Sequence, residues 1–278
     1  MTSQPTTPQP TTEPLLHLDG ITKSFGRVTV AQDLTLRVEP GEALGIVGPN
    51  GAGKSSLFAM ISGDLRPDAG AVRFGGRDVT GVPPHARTRA GVGRTYQVPR
   101  PFEDLTAFEN VLVCAYQGAG LKGRKAQAHA MEVLERTGLA DLANTPGGRL
   151  TLLQRKRLEV ARGLATGPRL LLLDEVAGGL TEPEVLELVE IIKDLHAGGL
   201  GIVWIEHVVH ALVKTVGRMV CLAGGDLVAD GAPMDVLADA KVRELYLGGG
   251  PETGLPDEDT GLPGEDTGLP GKEGGEGS

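Results

Sequence analysis

The chain has 278 residues, of which 40% are hydrophobic and 23% charged, with 3% aromatics and a formal net charge of −9. This composition supports a globular core of Leu, Val, Ile and Ala in one or two domains and excludes a fibrous chain. It also excludes nucleic acid as the expected partner, because no long Lys/Arg run is present to neutralise phosphates and few rings are present for bases to stack on.

Residues 1–14 are rich in Thr, Pro and Gln and read as a disordered leader without signal or anchor. An ordered domain is expected over 15–248. Leu15, Leu16, Leu18 and Ile21, then Leu34, Leu36 and Val38, predict strands with one exposed face. Ala43 to Val47 is apolar throughout and predicts a central strand covered on both sides.

Next comes Gly48-Pro49-Asn50-Gly51-Ala52-Gly53-Lys54-Ser55-Ser56, which leads into a helix over Leu57 to Ile61. Glycines at 48, 51 and 53 let successive N–H groups turn inward, and a following helix adds the positive end of its dipole. Lys54 supplies a charge for β- and γ-phosphates, and Ser55 a hydroxyl for Mg²⁺. The loop thus predicts a nucleoside triphosphate site.

Beyond the loop, Val72 and Phe74 mark a strand, Gly75-Gly76 a turn and Pro83-Pro84 a helix start. From Thr106 the period becomes helical. Thr106 and Glu109 have capping-box spacing, and helices are expected to fill most of the stretch from there to about Ala165, broken at Gly118-Ala119-Gly120 and Pro146-Gly147-Gly148, within a helical subdomain of about 98–165 that opens on the irregular, proline-punctuated Val98 to Glu103. Leu170 to Leu173 predicts a buried strand delivering Asp174 and Glu175 to its C-terminal end, where open α/β sheets bind ligands. Asp174 suits a Mg²⁺ shell, and Glu175 suits orienting or deprotonating an attacking water.

A helix after Thr181-Glu182-Pro183-Glu184 and a buried strand from Gly201 to Ile205 follow, the latter ending at Glu206-His207. Arg218 to Ala223 and Leu227 to Ala229 flank Gly224-Gly225 as a hairpin, and a short helical end runs to about Leu247. Residues 249–278 repeat Thr-Gly-Leu-Pro at seven-residue spacing. Gly and Pro recur in every copy, so the segment reads as a disordered acidic tail and not a coiled coil. Cys114 and Cys221 lack metal-ligand spacing and read as buried small hydrophobes.

In this order the motifs resemble the ATP-binding cassette of ABC transporters over nearly all of Leu15 to Leu247. The resemblance implies an α/β P-loop NTPase cassette with a mixed sheet core, an antiparallel β subdomain and an inserted helical subdomain. It implies that Phe25 stacks on adenine, that Gly48, Asn50, Gly51, Gly53, Lys54, Ser55 and Ser56 hold ATP, and that Ser55, Gln97 and Asp174 hold Mg²⁺. Glu175, His207 and Gln97 are then catalytic.

Arg94-Thr95-Tyr96-Gln97, Glu109-Asn110-Val111, Leu158-Glu159-Val160-Ala161-Arg162 and Glu244-Leu245-Tyr246-Leu247-Gly248 look like the cassettes of branched-chain amino acid importers. Importers of urea or short amides share these features. The implied partners are transmembrane permease subunits, a second cassette and, indirectly, an extracytoplasmic solute-binding protein. The implied location is cytoplasmic, peripheral to the membrane's inner face. The family signature appears as Leu150-Thr151-Leu152-Leu153-Gln154, with leucines where glycine is usual, and Val176 and Thr181 also depart from the pattern. Those departures favour a nucleotide-gated cassette with weak hydrolysis as the alternative. A P-loop GTPase lacks support, since no Asn-Lys-x-Asp element occurs.

Overall fold

The computed structural model describes residues 13–247. The acidic repeat tail and all but the last two residues of the leader lie outside the described residues. Leu16–Phe25 (β1) and Val28–Val38 (β2) form a hairpin, and Ala43–Val47 (β3) leads into helix Lys54–Ser62 (α1). Ala69–Phe74 (β4), Arg77–Asp78 (β5), Pro84–Ala90 (α2) and Val92–Arg94 (β6) follow. The helices Ala107–Gln117 (α3), Gly123–Arg136 (α4) and Leu152–Ala165 (α5) come next. Then Leu170–Asp174 (β7), Glu182–Ala197 (α6), Gly201–Ile205 (β8) and Val209–Val213 (α7) alternate. Arg218–Ala223 (β9), Asp226–Gly231 (β10), Pro233–Ala238 (α8) and Ala240–Leu247 (α9) complete the described chain.

Two sheets organise these elements. The larger has the order β10-β9-β3-β8-β7-β6; its strands run parallel except β10, which pairs antiparallel with β9. Alternate residues of its strands enter different cores. Leu44, Ile46, Leu170, Leu172, Val203 and Ile205 pack with β1, β2, β4 and α1, whereas Leu171, Leu173, Ile202 and Trp204 pack with helices α3 to α6. A sheet covered on both faces needs strands that are apolar at every position, which is why Ala43–Val47 and Leu170–Leu173 carry no alternation. The smaller sheet, β2-β1-β4-β5, is antiparallel and keeps one wet face. The fold is the α/β cassette with mixed sheet, antiparallel β layer and helical insertion that the sequence led us to expect.

Several boundaries differ from the sequence expectation. Helix α1 begins at Lys54 and not at Leu57, because Gly53 takes φ +101° and its carbonyl accepts from Leu57 N–H at 2.8 Å, closing a first turn over Lys54-Ser55-Ser56. Strand β1 runs on to Phe25, held by pairing with Val28 across the tight turn at Gly26-Arg27. The first helix of the insertion begins at Ala107, directly after the expected Thr106 cap, and the residues before it are irregular as the prolines suggested. Cys221 is buried as expected, but Cys114 is half-buried.

Helix caps follow local chemistry. Thr106 accepts from Glu109 N–H at 3.2 Å while Glu109 accepts from Thr106 N–H at 2.8 Å, and Thr151 and Gln154 reciprocate in the same way. The C-terminus of α1 is held differently. Arg87 is only 1% exposed, and its guanidinium donates to the Met60 and Ile61 carbonyls at 2.6 and 2.8 Å and to those of Val82 and Thr80. Carbonyls left over at the helix end thereby find donors, and α1 is fixed to α2 and to the loop that follows β5.

Candidate active site

The C-terminal ends of β3, β6, β7 and β8 lie at one edge of the larger sheet because these strands are parallel neighbours. Everything predicted from the strand ends therefore converges there. From β3 the chain enters the loop Gly48–Gly53. A Cβ on Gly48 would lie 2.0 Å from the Leu222 carbonyl oxygen, and one on Gly53 2.2 Å from the Val30 carbonyl oxygen, so side chains at these two positions are sterically excluded.

Helix α1 opens with no side-chain cap and no acid in its first turn. Its first N–H groups and positive dipole end are thus left for an anion. Lys54 is buried, and its ammonium donates to the carbonyls of Gly48 and Pro49 at 2.6 and 3.0 Å. Burial holds this ammonium below the usual lysine range, against the opposing pull of Glu175, Cys221 and Asp174. Ser55 and Asn50 are exposed and Ser56 is half-buried beside the loop.

Asp174 ends β7 at 6% exposure, with Oδ2 3.4 Å from Arg94 Nη2. Burial pushes its carboxyl up, partly offset by Arg94. Glu175 follows at φ +47°, a left-handed conformation that a non-glycine residue adopts at a cost of about 1–2 kcal/mol. That turn aims its carboxylate along the sheet edge. Oε2 accepts from Gln97 Nε2 at 2.5 Å, and Oε1 lies 3.0 Å from His207 Nε2. Three residues from three strand exits thus meet at one carboxylate, although Gln97 and His207 were each weak signals alone.

Phe25 stands exposed at the hairpin tip, with Lys23 Nζ 5.4 Å from its ring centroid. Thr151–Gln154 form the N-terminal turn of α5. The two leucines there differ: Leu153 is 9% exposed, whereas Leu152, at 46%, stands exposed near Gly179. The helix phase is the reason: Leu153 shares a face with buried Lys156 and Val160.

Four residues to which sequence reasoning gave no role complete the surroundings. Arg94 Nη1 bridges Asp64 and Ser62 at 2.9 Å each, beside its contact with Asp174. Lys156, 4% exposed, donates to the Gln97 and Glu175 carbonyls. Glu206, 1% exposed, accepts from the N–H groups of Ala177 at 2.5 Å and His207 at 3.1 Å. Tyr246 of α9 accepts from Gly48 N–H at 2.9 Å. The available signals were a charge on an apolar helix face for Lys156 and an acid closing an all-apolar strand for Glu206; nothing local pointed to Tyr246.

Asp174, Ser55 and the Gln97 amide offer hard oxygen donors and one carboxylate. Among the described residues no group of three His, Cys, Asp or Glu side chains could hold a metal. That set fits Mg²⁺, which is usually held by one or two carboxylates together with substrate phosphates and water.

A family model described as "ABC transporter" matches residues 31–178. The lipopolysaccharide export system ATP-binding protein LptB of Acidithiobacillus ferridurans is 36% identical over 234 residues, covering 84% of this chain and 97% of that protein. The high-affinity branched-chain amino acid transport ATP-binding protein BraF of Pseudomonas aeruginosa is 34% identical over 250 residues, covering 84% and 98%. Among solved structures, the ADP conformation of MJ1267, an ATP-binding cassette of an ABC transporter, superimposes with a TM-score of 0.78 at 29% identity, covering 85% of this chain and all of that one.

Proposed function

The chain belongs to the ABC transporter family of ATP-binding cassettes, and from that premise we propose that it is the ATPase subunit of an importer for branched-chain amino acids or similar small polar solutes. As a cassette it binds ATP and is an ATPase driving transport, and cassettes of this family pair and act on transmembrane subunits. In this reading it sits at the inner face of the membrane beside those subunits. No helix among the described residues is long and apolar enough to cross a bilayer. A solute-binding protein would deliver cargo on the opposite face.

In this reading the loop 48–53 and the start of α1 wrap the phosphates, Lys54 reaches the β- and γ-phosphates, and Ser55 and Ser56 complete the cradle. Ser55, Asp174 and the Gln97 oxygen would hold Mg²⁺, which would supply charge to neutralise the phosphates. Phe25 covers the adenine. Glu175 takes the proton of the attacking water, while Gln97 and His207 fix its carboxylate. Thr151–Gln154 would face the nucleotide of a second cassette.

The observation that carries the ATPase assignment of residues is the convergence of Gln97 and His207 on Glu175, next to Asp174 and Lys54. Glu175→Gln is expected to bind ATP normally and lose at least about a hundredfold in turnover, the usual worth of general-base catalysis. Turnover within a few-fold of the parent would remove Glu175 from that role.

The importer reading is supported by Arg94-Thr95-Tyr96-Gln97, Glu109-Asn110-Val111 and the match to BraF along almost its whole length. The LptB match supports a second reading, in which the membrane subunits export a lipid. Reconstitution with its membrane subunits separates the two. Stimulation of ATPase activity by a leucine-loaded binding protein supports import, and stimulation by lipopolysaccharide supports export.

A further inference from the structure

Lys156 is a buried cation on α5 that the proposed cycle does not use. Its ammonium donates to the backbone carbonyl of Gln97 at 2.8 Å and to that of Glu175 at 3.1 Å. These carbonyls belong to two different strand exits, whose side chains meet at the Glu175 carboxylate. The turn that follows is gripped from the other side. Glu206, at the end of β8, accepts from Ala177 N–H, and Glu175 N–H donates to the Ile205 carbonyl at 2.9 Å. Glu175 thus holds its left-handed conformation between a buried ammonium from the helical layer and a buried carboxylate from the sheet.

A short apolar side chain at 156 would leave the Gln97 and Glu175 carbonyls without this donor. The same helix begins at Thr151–Gln154, so a shift of its N-terminal turn reaches Lys156 along less than two turns of rigid helix.

We propose that Lys156 is a positioning residue for ATP hydrolysis: by tying the Gln97 and Glu175 backbones to helix α5, it sets the aim of the Glu175 carboxylate and transmits displacement of α5 to it. The proposal rests on the assignment of Glu175 as the base. Burial lowers the ammonium's pKa, while Glu206, Glu175, Glu159 and Asp174 around it favour the charged form.

The test is a double-mutant cycle on the full chain, read by single-turnover phosphate release and by equilibrium ATP binding. Lys156→Met is expected to lower the hydrolysis rate about 10- to 100-fold, the scale of a misplaced reacting group, with ATP affinity changed less than about twofold. Lys156→Gln, which retains one amide donor group, is expected to lie between parent and Met variant. In the Glu175→Gln background neither change should slow hydrolysis further, because Lys156 acts through Glu175.

An unchanged rate in folded Lys156→Met overturns the proposal. So does the same fold-loss in both backgrounds, or a loss of affinity matching the loss of rate. If the Met variant does not fold, the Gln variant decides by the same comparison. Near-parental hydrolysis by Glu175→Gln alone would instead overturn the base assignment.

Discussion

Tyr246→Phe removes one oxygen atom and leaves the ring that packs α9 against the rest of the protein. That oxygen accepts the Gly48 N–H at 2.9 Å, 198 residues away in sequence, and burial pushes the phenol up to about 12. Gly48 is buried, and the Leu222 carbonyl oxygen occupies the space that a side chain there would need. A donor left unpaired in such a place costs about 1–3 kcal/mol. The bond is partly buried, so water can recover some of that, and a loss of about 1–2 kcal/mol is expected. For a chain of this size each kcal/mol lowers Tm by about 2–4 °C, giving a drop of about 2–8 °C.

Thermal unfolding of the nucleotide-free chain measures it. ATP affinity should weaken by no more than about tenfold, the equivalent of 1.4 kcal/mol, because the Gly48 N–H points to Tyr246 and the phosphate donors lie further along the loop. A Tm within one degree of the parent, measured with an intact α9, would show that the hydroxyl contributes nothing to holding the loop.

The two leucines of the signature segment are expected to behave differently despite being adjacent. Leu153→Ala should cost about 2–4 kcal/mol, as for other buried leucines, whereas Leu152→Ala should stay within about 0.5 kcal/mol because its side chain is exposed; chemical denaturation distinguishes them, and equal costs would refute the helix phase. In a mixed cassette pair, Leu152→Gly is expected to raise hydrolysis at the partner's site, and an unchanged rate would show that Leu152 does not obstruct it. The lowered pKa of Lys54 sets a sign for pH dependence. As pH rises through that depressed value the free chain loses the ammonium before an ordinary lysine would, at about 10.4, so ATP affinity should fall and binding should take up a proton. Calorimetry in two buffers of different ionisation enthalpy reads the uptake, and its absence throughout the alkaline range would contradict a buried, destabilised ammonium.

The strand exits were legible in the sequence because their information is local. An all-apolar run, a glycine-rich loop and a terminal acid each follow from the demands of neighbouring residues, so Ala43–Val47, Gly48–Gly53 and Asp174-Glu175 could be placed before any tertiary structure was known. Capping at Thr106 was equally local, since its reciprocal bonds with Glu109 span three residues. Tertiary structure decided what lay between distant segments. Glu175 meets Gln97 and His207 because β6, β7 and β8 are parallel neighbours, and no spacing in the chain encodes that order. Whether Leu153 faced inward depended on the phase of α5 against the helical layer. Lys156, Glu206 and Tyr246 carry ordinary side chains at unremarkable positions; their consequence comes from burial beside backbone groups 19 to 198 residues away, where a charge or hydroxyl out of water must find a partner.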